Sequence, residues 1–385
     1  MRHFDDDPVV RSGDGSGAVF AEVVAQRLRR RDVLRAGLVT GIWAAAGTVA
    51  AVSHAASPER TSPTGLDFEP LKPALGDDVR VPPGYRSRVL IRWGDSLHAG
   101  TAEVPDFGRL SAAEQARRFG YNCDFVGYLP LPYGSKRSDH GLLVVNHEYI
   151  NPEIMFPLEH PDQISAEQAA ACMEAMGLSV IEVKLDDGTW SYIRGSRHNR
   201  RITGTTPVLI SGPACGDARM RTSVHRDGRT CTGTMHNCSA GKTPWGTVLS
   251  AEENFQDMFG NAQALKDPAD QRSAKRYGLG DKLSTYRFER HLDRLDCAKE
   301  PHEAYHFGWV VEVDPYDPRW KPRKRTALGR FRHEAATSHV SRNGRVVLYS
   351  GDDARFEYVY KFVCSKPFNP NNRAANRDLL DDGVL

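Results

Sequence analysis

Short apolar runs bounded by turn residues recur along this chain, and that punctuation constrains the fold more than any other feature. The runs at 88–91, 125–129, 142–145, 179–183, 246–250, 309–313, 345–349 and 358–363 have the length and the bounding residues of strands. Asp186-Asp187-Gly188 separates one such run from Trp190-Ser191-Tyr192, and Asn343-Gly344 introduces another. Asp-Gly and Asn-Gly supply the left-handed backbone that tight hairpins require. Helices are few. Ser111 with Glu114 and Ser165 with Gln168 form capping boxes; the first helix is expected to end near 119 and the second at Gly177, where glycine can close it. Cys172, Met173 and Met176 on the second helix suit packing rather than chemistry. Hairpins with helices only as insertions predict an all-β architecture, a sandwich or a propeller. No fixed repeat period decides between the two.

The first residues stand apart from this pattern. Arg30-Arg31-Asp32-Val33-Leu34-Arg35 fits the twin-arginine export motif. An uncharged, Ala- and Gly-rich run from 36 to 52 follows, and small residues at Ser53, Ala55 and Ala56 suit a signal peptidase. Residues 1–56 therefore read as a signal, recognised by the twin-arginine translocase and delivering the protein to the periplasm or the medium. A retained anchor is the alternative, because the run approaches the length that spans a bilayer; cleavage leaves no stable membrane association. Residues 57–78, rich in Pro, Ser and Thr, read as a linker, and 79–385 as the folded domain.

Lys and Arg number 51 against 49 Asp and Glu, so no electrostatic case for nucleic-acid binding exists. Seven cysteines, at 123, 172, 215, 231, 238, 297 and 364, cannot all pair. Cys231 and Cys238 are near enough in sequence to bridge, while zinc-finger spacing is missing.

Chemistry-bearing residues gather in five places. Gly241-Lys242-Thr243 imitates a phosphate loop, but His236 stands where the motif needs glycine and Pro244 where its helix would begin. The same stretch carries Asn237 and Cys238 and ends at Glu252-Glu253, whose side chains must point to opposite faces, so one of them enters a site. Asn146-His147-Glu148-Tyr149 ends a strand with donors for calcium or iron, or is a polar turn; Asn122-Cys123-Asp124 repeats the arrangement before another strand. Glu312 and Asp314 share one face of an apolar strand, costly unless paired or metal-bound. In Arg332-His333-Glu334 the guanidinium and carboxylate share a side, for oxyanion recognition or as a surface ion pair. Ser350-Gly351-Asp352-Asp353 is a hairpin turn or a calcium contact.

Taken together, N-H-E-Y at 146–149, N-C-S-A-G-K-T-P-W-G-T-V-L-S-A-E-E-N at 237–254, H-F-G-W-V-V-E-V-D-P at 306–315, R-H-E at 332–334 and S-G-D-D-A-R-F-E-Y-V-Y-K-F at 350–362 resemble the PhoX-type alkaline phosphatases, from about 77 to the C-terminus. The resemblance implies a six-bladed β-propeller with an axial site of Fe(3+) and Ca(2+) that hydrolyses phosphate monoesters outside the cytoplasm, acting as a monomer. By that likeness Cys238 is a thiolate on iron and Glu312 and Glu334 are ligands of the cluster. Glu252 or Glu253, Glu148, Asn122 and Asp124 are further metal candidates, and Arg332 holds the substrate phosphate. The family continues beyond the region where this sequence stops, which implies that the last blades are absent. A non-catalytic calcium-binding propeller or inactive truncated relic, and a lactonase or phosphotriesterase on the same architecture, are the alternatives, since fold does not fix function.

Overall fold

The structure, a computed structural model of the chain, describes residues 69–102 and 107–385. The twin-arginine motif, the apolar run after it and most of the expected linker lie outside the described residues. The chain divides into a unit ending at Tyr85 and a unit from Arg86 to Leu385. The described part of the first, 69–85, consists of turns and irregular backbone. No helix among the described residues is long and apolar enough to cross a membrane.

The second unit is built on three sheets, none closed into a barrel. The first contains β1 (Cys123–Pro130), β2 (His140–His147), β3 (Gly177–Asp186) and β4 (Thr189–Tyr192) in that order, with β5 (Arg200–Ile202) also on β3. The second contains β6 (Pro207–Ser211), β7 (Thr230–Thr232), β8 (Asn237–Lys242), β9 (Val248–Glu252), β10 (Val310–Val313) and β11 (Arg323–Arg325), in the spatial order β7-β6-β11-β10-β9-β8. The third runs β12 (Thr337–Val340), β13 (Arg345–Gly351), β14 (Val359–Pro367) and β15 (Gly383–Val384). All pairings are antiparallel except β6 with β11.

The sheets stack face to face with the six-stranded sheet in the middle. Leu129, Leu142, Val144 and Val180 of the first sheet pack on Val248, Val311 and Val313. On the other side, Leu249 and Val310 pack on Val346, Leu348, Phe362 and Cys364 of the third. Strands buried on both faces read as continuous apolar runs, and β9 and β10 are buried at every residue. A third cluster lies under the longer helices, α1 (Ala166–Ala175) and α2 (Pro268–Tyr277), and takes up Cys172, Met173 and Met176.

Most of the expected strands form close to their expected bounds. The Asp187-Gly188 hairpin forms with both residues in the left-handed region, at φ 48° and 72°. Four expectations need correction. Residues 88–91 make no strand, because no neighbouring strand takes up their backbone hydrogen bonds. The helix capped by Ser111 stops at Gln115. α1 ends at Ala175, and Gly177 instead opens β3 at φ 92°, pressed so closely against Ile202 that a Cβ would collide with its carbonyl. Cys231 and Cys238 do not bridge: β7 and β8 are opposite edges of a six-stranded sheet, about 24 Å apart at ordinary strand spacing, and all seven cysteines are free. α2 is not among the helices expected from sequence, although Asp267 as N-cap, Pro268 at N1 and Gly278 at φ 75° after the last turn mark its ends.

Candidate metal centre

One rim of the stack collects the chemistry. β1 begins and β2 ends there, paired at Cys123 and His147, so Asp124 and Glu148 are neighbours. β8 begins at the same rim. Both β1 and β8 carry a register shift at their rim ends, between Cys123 and Val126 and between Asn237 and Ala240. Such bulges re-aim a side chain out of the ladder. Each strand is entered through a non-glycine residue in the left-handed region, Asn122 at φ 50° and His236 at φ 51°, a local strain of the kind that collects at functional sites.

Buried amides and hydroxyls lock this rim. Asn146 Nδ2 donates to the carbonyl of Cys238 at 2.6 Å, and its Oδ1 accepts from Ser250 Oγ at 3.0 Å. Asn237 Nδ2 donates to Ser250 Oγ and Thr234 Oγ1. The first two sheets are thereby tied together at the residue that carries the thiol, and Ser239 N–H donates to the Glu334 carbonyl to bring in the segment leading to the third.

Within this frame Asp124, Glu148 and Cys238 offer ligand atoms that all lie within 4.8 Å of one another, and Cys238 Sγ is 3.9 Å from Asp124 Oδ2. Glu253 hydrogen-bonds both Cys238 and Asp353, and the field of Glu334 reaches Glu148. The electrostatics are those of crowded acids. Burial, then the charges of Asp124 and Glu334, push the Glu148 carboxyl up to about 7. Burial and a hydrogen bond with Asp353 push Glu253 up to about 8. The Cys238 thiol is raised by burial and then by Glu253, Asp124 and Glu148, and Asp124 is raised by burial.

A thiol and several carboxylates within one coordination diameter, destabilised as anions by each other, form a donor set that a multivalent cation relieves. Sulfur suits iron, and carboxylate oxygens suit iron or calcium. The donors therefore fit the ions that the family resemblance implies.

Of the nine candidates named from sequence, Cys238, Asp124, Glu148, Glu253 and Glu334 come together here. Asn122 sits at the rim, its carbonyl accepting the Glu148 N–H. Glu252 and Glu312 stand elsewhere. Strand alternation turns Glu252 away from Glu253, and it accepts from Lys324 Nζ at 2.7 Å, Thr234 Oγ1 at 2.8 Å and the N–H groups of Gly308 and Trp309. Glu312 accepts from Arg325 Nε at 2.7 Å, Trp245 Nε1 at 3.0 Å and Thr247 Oγ1. Both carboxylates are saturated inside the sheet stack, where β11 supplies the cations. Asp314 likewise is held by both terminal nitrogens of Arg373.

His147 and His333 also turn inward. His147 bonds Ser179 Oγ and the Tyr121 carbonyl, His333 bonds Ser350 Oγ and the Gly329 carbonyl, and burial lowers both below the ordinary imidazole range. They are framework residues. Asp353 was legible only as part of an acidic turn; its partner Glu253, distant in sequence, identifies its role.

Arg332 forms a second group beside the acids. Its Nη2 donates to the Tyr277 carbonyl at 2.8 Å, while its buried Nε has no partner among the described residues. It faces Asp257, whose carboxyl is raised by burial and pulled back by the guanidinium. Tyr286 feels both groups, its phenol raised by burial, then by the charge of Asp257 and, more weakly, by that of Glu148. A guanidinium with open donors beside a cation-seeking acid cluster can hold an oxyanion against bound metal.

Comparison with known proteins accords with this chemistry. A family model described as alkaline phosphatase PhoX matches residues 66–385. A solved structure of Pseudomonas fluorescens PhoX in complex with vanadate, a transition state analogue, is 45% identical, with a TM-score of 0.73 over 79% of this chain and 51% of that one. The chain thus spans about half the length of that relative. No curated protein matches it. With the family model covering most of its length, this chain belongs to the PhoX alkaline phosphatase family.

Proposed function

We propose that this protein is a metal-dependent phosphatase that hydrolyses phosphate monoesters outside the cytoplasm. The observation that carries the proposal is the convergence of Cys238, Asp124, Glu148 and Glu253 at one rim, with Arg332 beside them. Family membership and the vanadate held by the related structure support the phosphoryl chemistry. Cys238, Asp124, Glu148, Glu253 and Glu334, with Asp353 added and Asn122 at the rim, are the residues that would hold iron and calcium. Bound there, the ions supply Lewis-acid stabilisation of charge developing on the phosphoryl oxygens.

The protein's own part is binding and orientation. Arg332 presents its open donors to phosphate oxygens, and the Asn146, Asn237 and Thr234 network holds Cys238 in place. Little protein acid-base chemistry is required. In this reading the three stacked sheets are parts of a six-bladed propeller, and the twin-arginine motif at 30–35 directs export in the folded state.

Cys238→Ser and Glu334→Ala are each expected to lower hydrolysis of 4-nitrophenyl phosphate by about 100-fold or more, with the native fold retained by circular dichroism. Full activity in either variant would refute the site assignment. Calcium without iron in the purified protein, together with no turnover, would favour a calcium-binding protein instead.

A further inference from the structure

We propose that the C-terminal end of α2 positions the phosphate-binding arginine, with Arg276 acting on Arg332 through Asp352; this rests on the reading that Arg332 holds the phosphate. Three ties join this helix end to the extended segment around Arg332. The Tyr277 hydroxyl donates to the Arg330 carbonyl at 2.7 Å. The Tyr277 carbonyl accepts from Arg332 Nη2 at 2.8 Å. Arg276 Nη2 reaches Asp352 Oδ2 at 3.0 Å, and the other oxygen of that carboxylate, Oδ1, accepts the Arg332 N–H at 3.3 Å.

The helix end is made for this contact. Gly278 adopts φ 75° and its N–H caps Ala274, which ends the helix and leaves the Tyr277 carbonyl without an intrahelical partner. A helix C-terminus carries partial negative charge and favours a cation. Arg332 fills that position, so one face of its guanidinium is held while Nε stays open.

Asp352 is the relay. Its side chain is 0% exposed, whereas Arg276 is 39% exposed, so the buried carboxylate has one external cation and spends its other oxygen on the Arg332 backbone. The next residue, Asp353, donates its N–H to the Arg332 carbonyl at 3.0 Å and places its carboxylate against Glu253. A single ion pair at the edge of α2 therefore sets both the arginine and one acid of the cluster. Holding the guanidinium beforehand removes an ordering cost from phosphate binding.

The test is calorimetric titration of the full-length, metal-containing protein with inorganic phosphate, alongside metal content and thermal unfolding. Arg276→Ala is expected to raise the phosphate Kd about tenfold with metal content unchanged, and Arg276→Lys to recover most of that loss. Glu357→Gln removes the other partner of Arg276, which lies at 3.1 Å, and is expected to leave Kd unchanged. The proposal is overturned if Arg276→Ala binds phosphate as the parent does, or if Glu357→Gln weakens binding as much. Should Arg276→Ala lower the unfolding midpoint, Arg276→Lys and Arg276→Gln decide by the same readout, and equal losses in both overturn the relay. Arg332→Ala separates the two layers. If it retains phosphate affinity, or the parent shows none, the assignment of Arg332 fails and the relay with it; if it loses affinity while Arg276→Ala does not, only the relay fails.

Discussion

Glu252 and Glu253 are adjacent in the chain and both almost wholly buried, yet they sit in opposite electrostatic worlds. Glu252 meets Lys324 with both partners at 0% exposure, and Glu312 meets Arg325 in the same way. Their charges are balanced within the protein, and every carboxylate oxygen has a donor. Glu253 faces Cys238, Asp353 and Glu148, so the fields it feels are those of other acids. A buried acid with a built-in cation is framework, whereas a buried acid among acids has the electrostatics that an added cation would relieve.

Lys324→Met gives the largest expected effect, because it strips Glu252 of its cation and leaves a buried charge unpaired. Loss of one partner of such a pair costs about 3–5 kcal/mol, readable by denaturant unfolding. A loss under about 1 kcal/mol would place Glu252 with the acid cluster and dissolve the contrast.

Glu253→Gln should do the reverse in metal-free protein. Removing one of several mutually repelling acids is expected to raise the unfolding midpoint measured in chelator above pH 8, while the variant gains less than the parent when calcium is restored. A crossing of the two melting series sharpens the distinction; equal destabilisation in both states would erase it.

The smallest expected effect is in pH dependence. The folded carboxyls of Glu148 and Glu253 lie at about 7 and about 8, above their ordinary value of 4.5. A raised acid binds its proton more tightly in the folded state, so folding is favoured below 4.5 and that contribution is lost as pH rises through 7 to 8. The metal-free midpoint should therefore fall across this window, and bound cation should flatten the slope. An unchanged slope on adding calcium would mean the ions bind elsewhere.

Much of this was legible in the sequence. The Asp-Gly hairpin and the capping boxes act through neighbours in the chain, so local chemistry was enough to place them. Alternation alone predicted that Glu252 and Glu253 diverge, because strand geometry has a period of two. The five motifs identified the family. α2 was missed despite its Asp-Pro start and glycine end, since its polar face hides the apolar stripe that would draw notice.

What lies beyond reach of the sequence is the pairing of distant charges. No local rule tells which of two adjacent glutamates receives a lysine 72 residues away, or that Arg325 will neutralise Glu312. Those outcomes depend on β11 inserting between β6 and β10, where its contact with β6 is the one parallel strand pairing among the described residues. The sequence by itself determined most of the longer strands, the alternation and the stock of acids. Tertiary structure decided which acids are balanced by a cation of the chain and which gather with other acids, because Coulomb energy depends on distance and burial rather than on order along the chain.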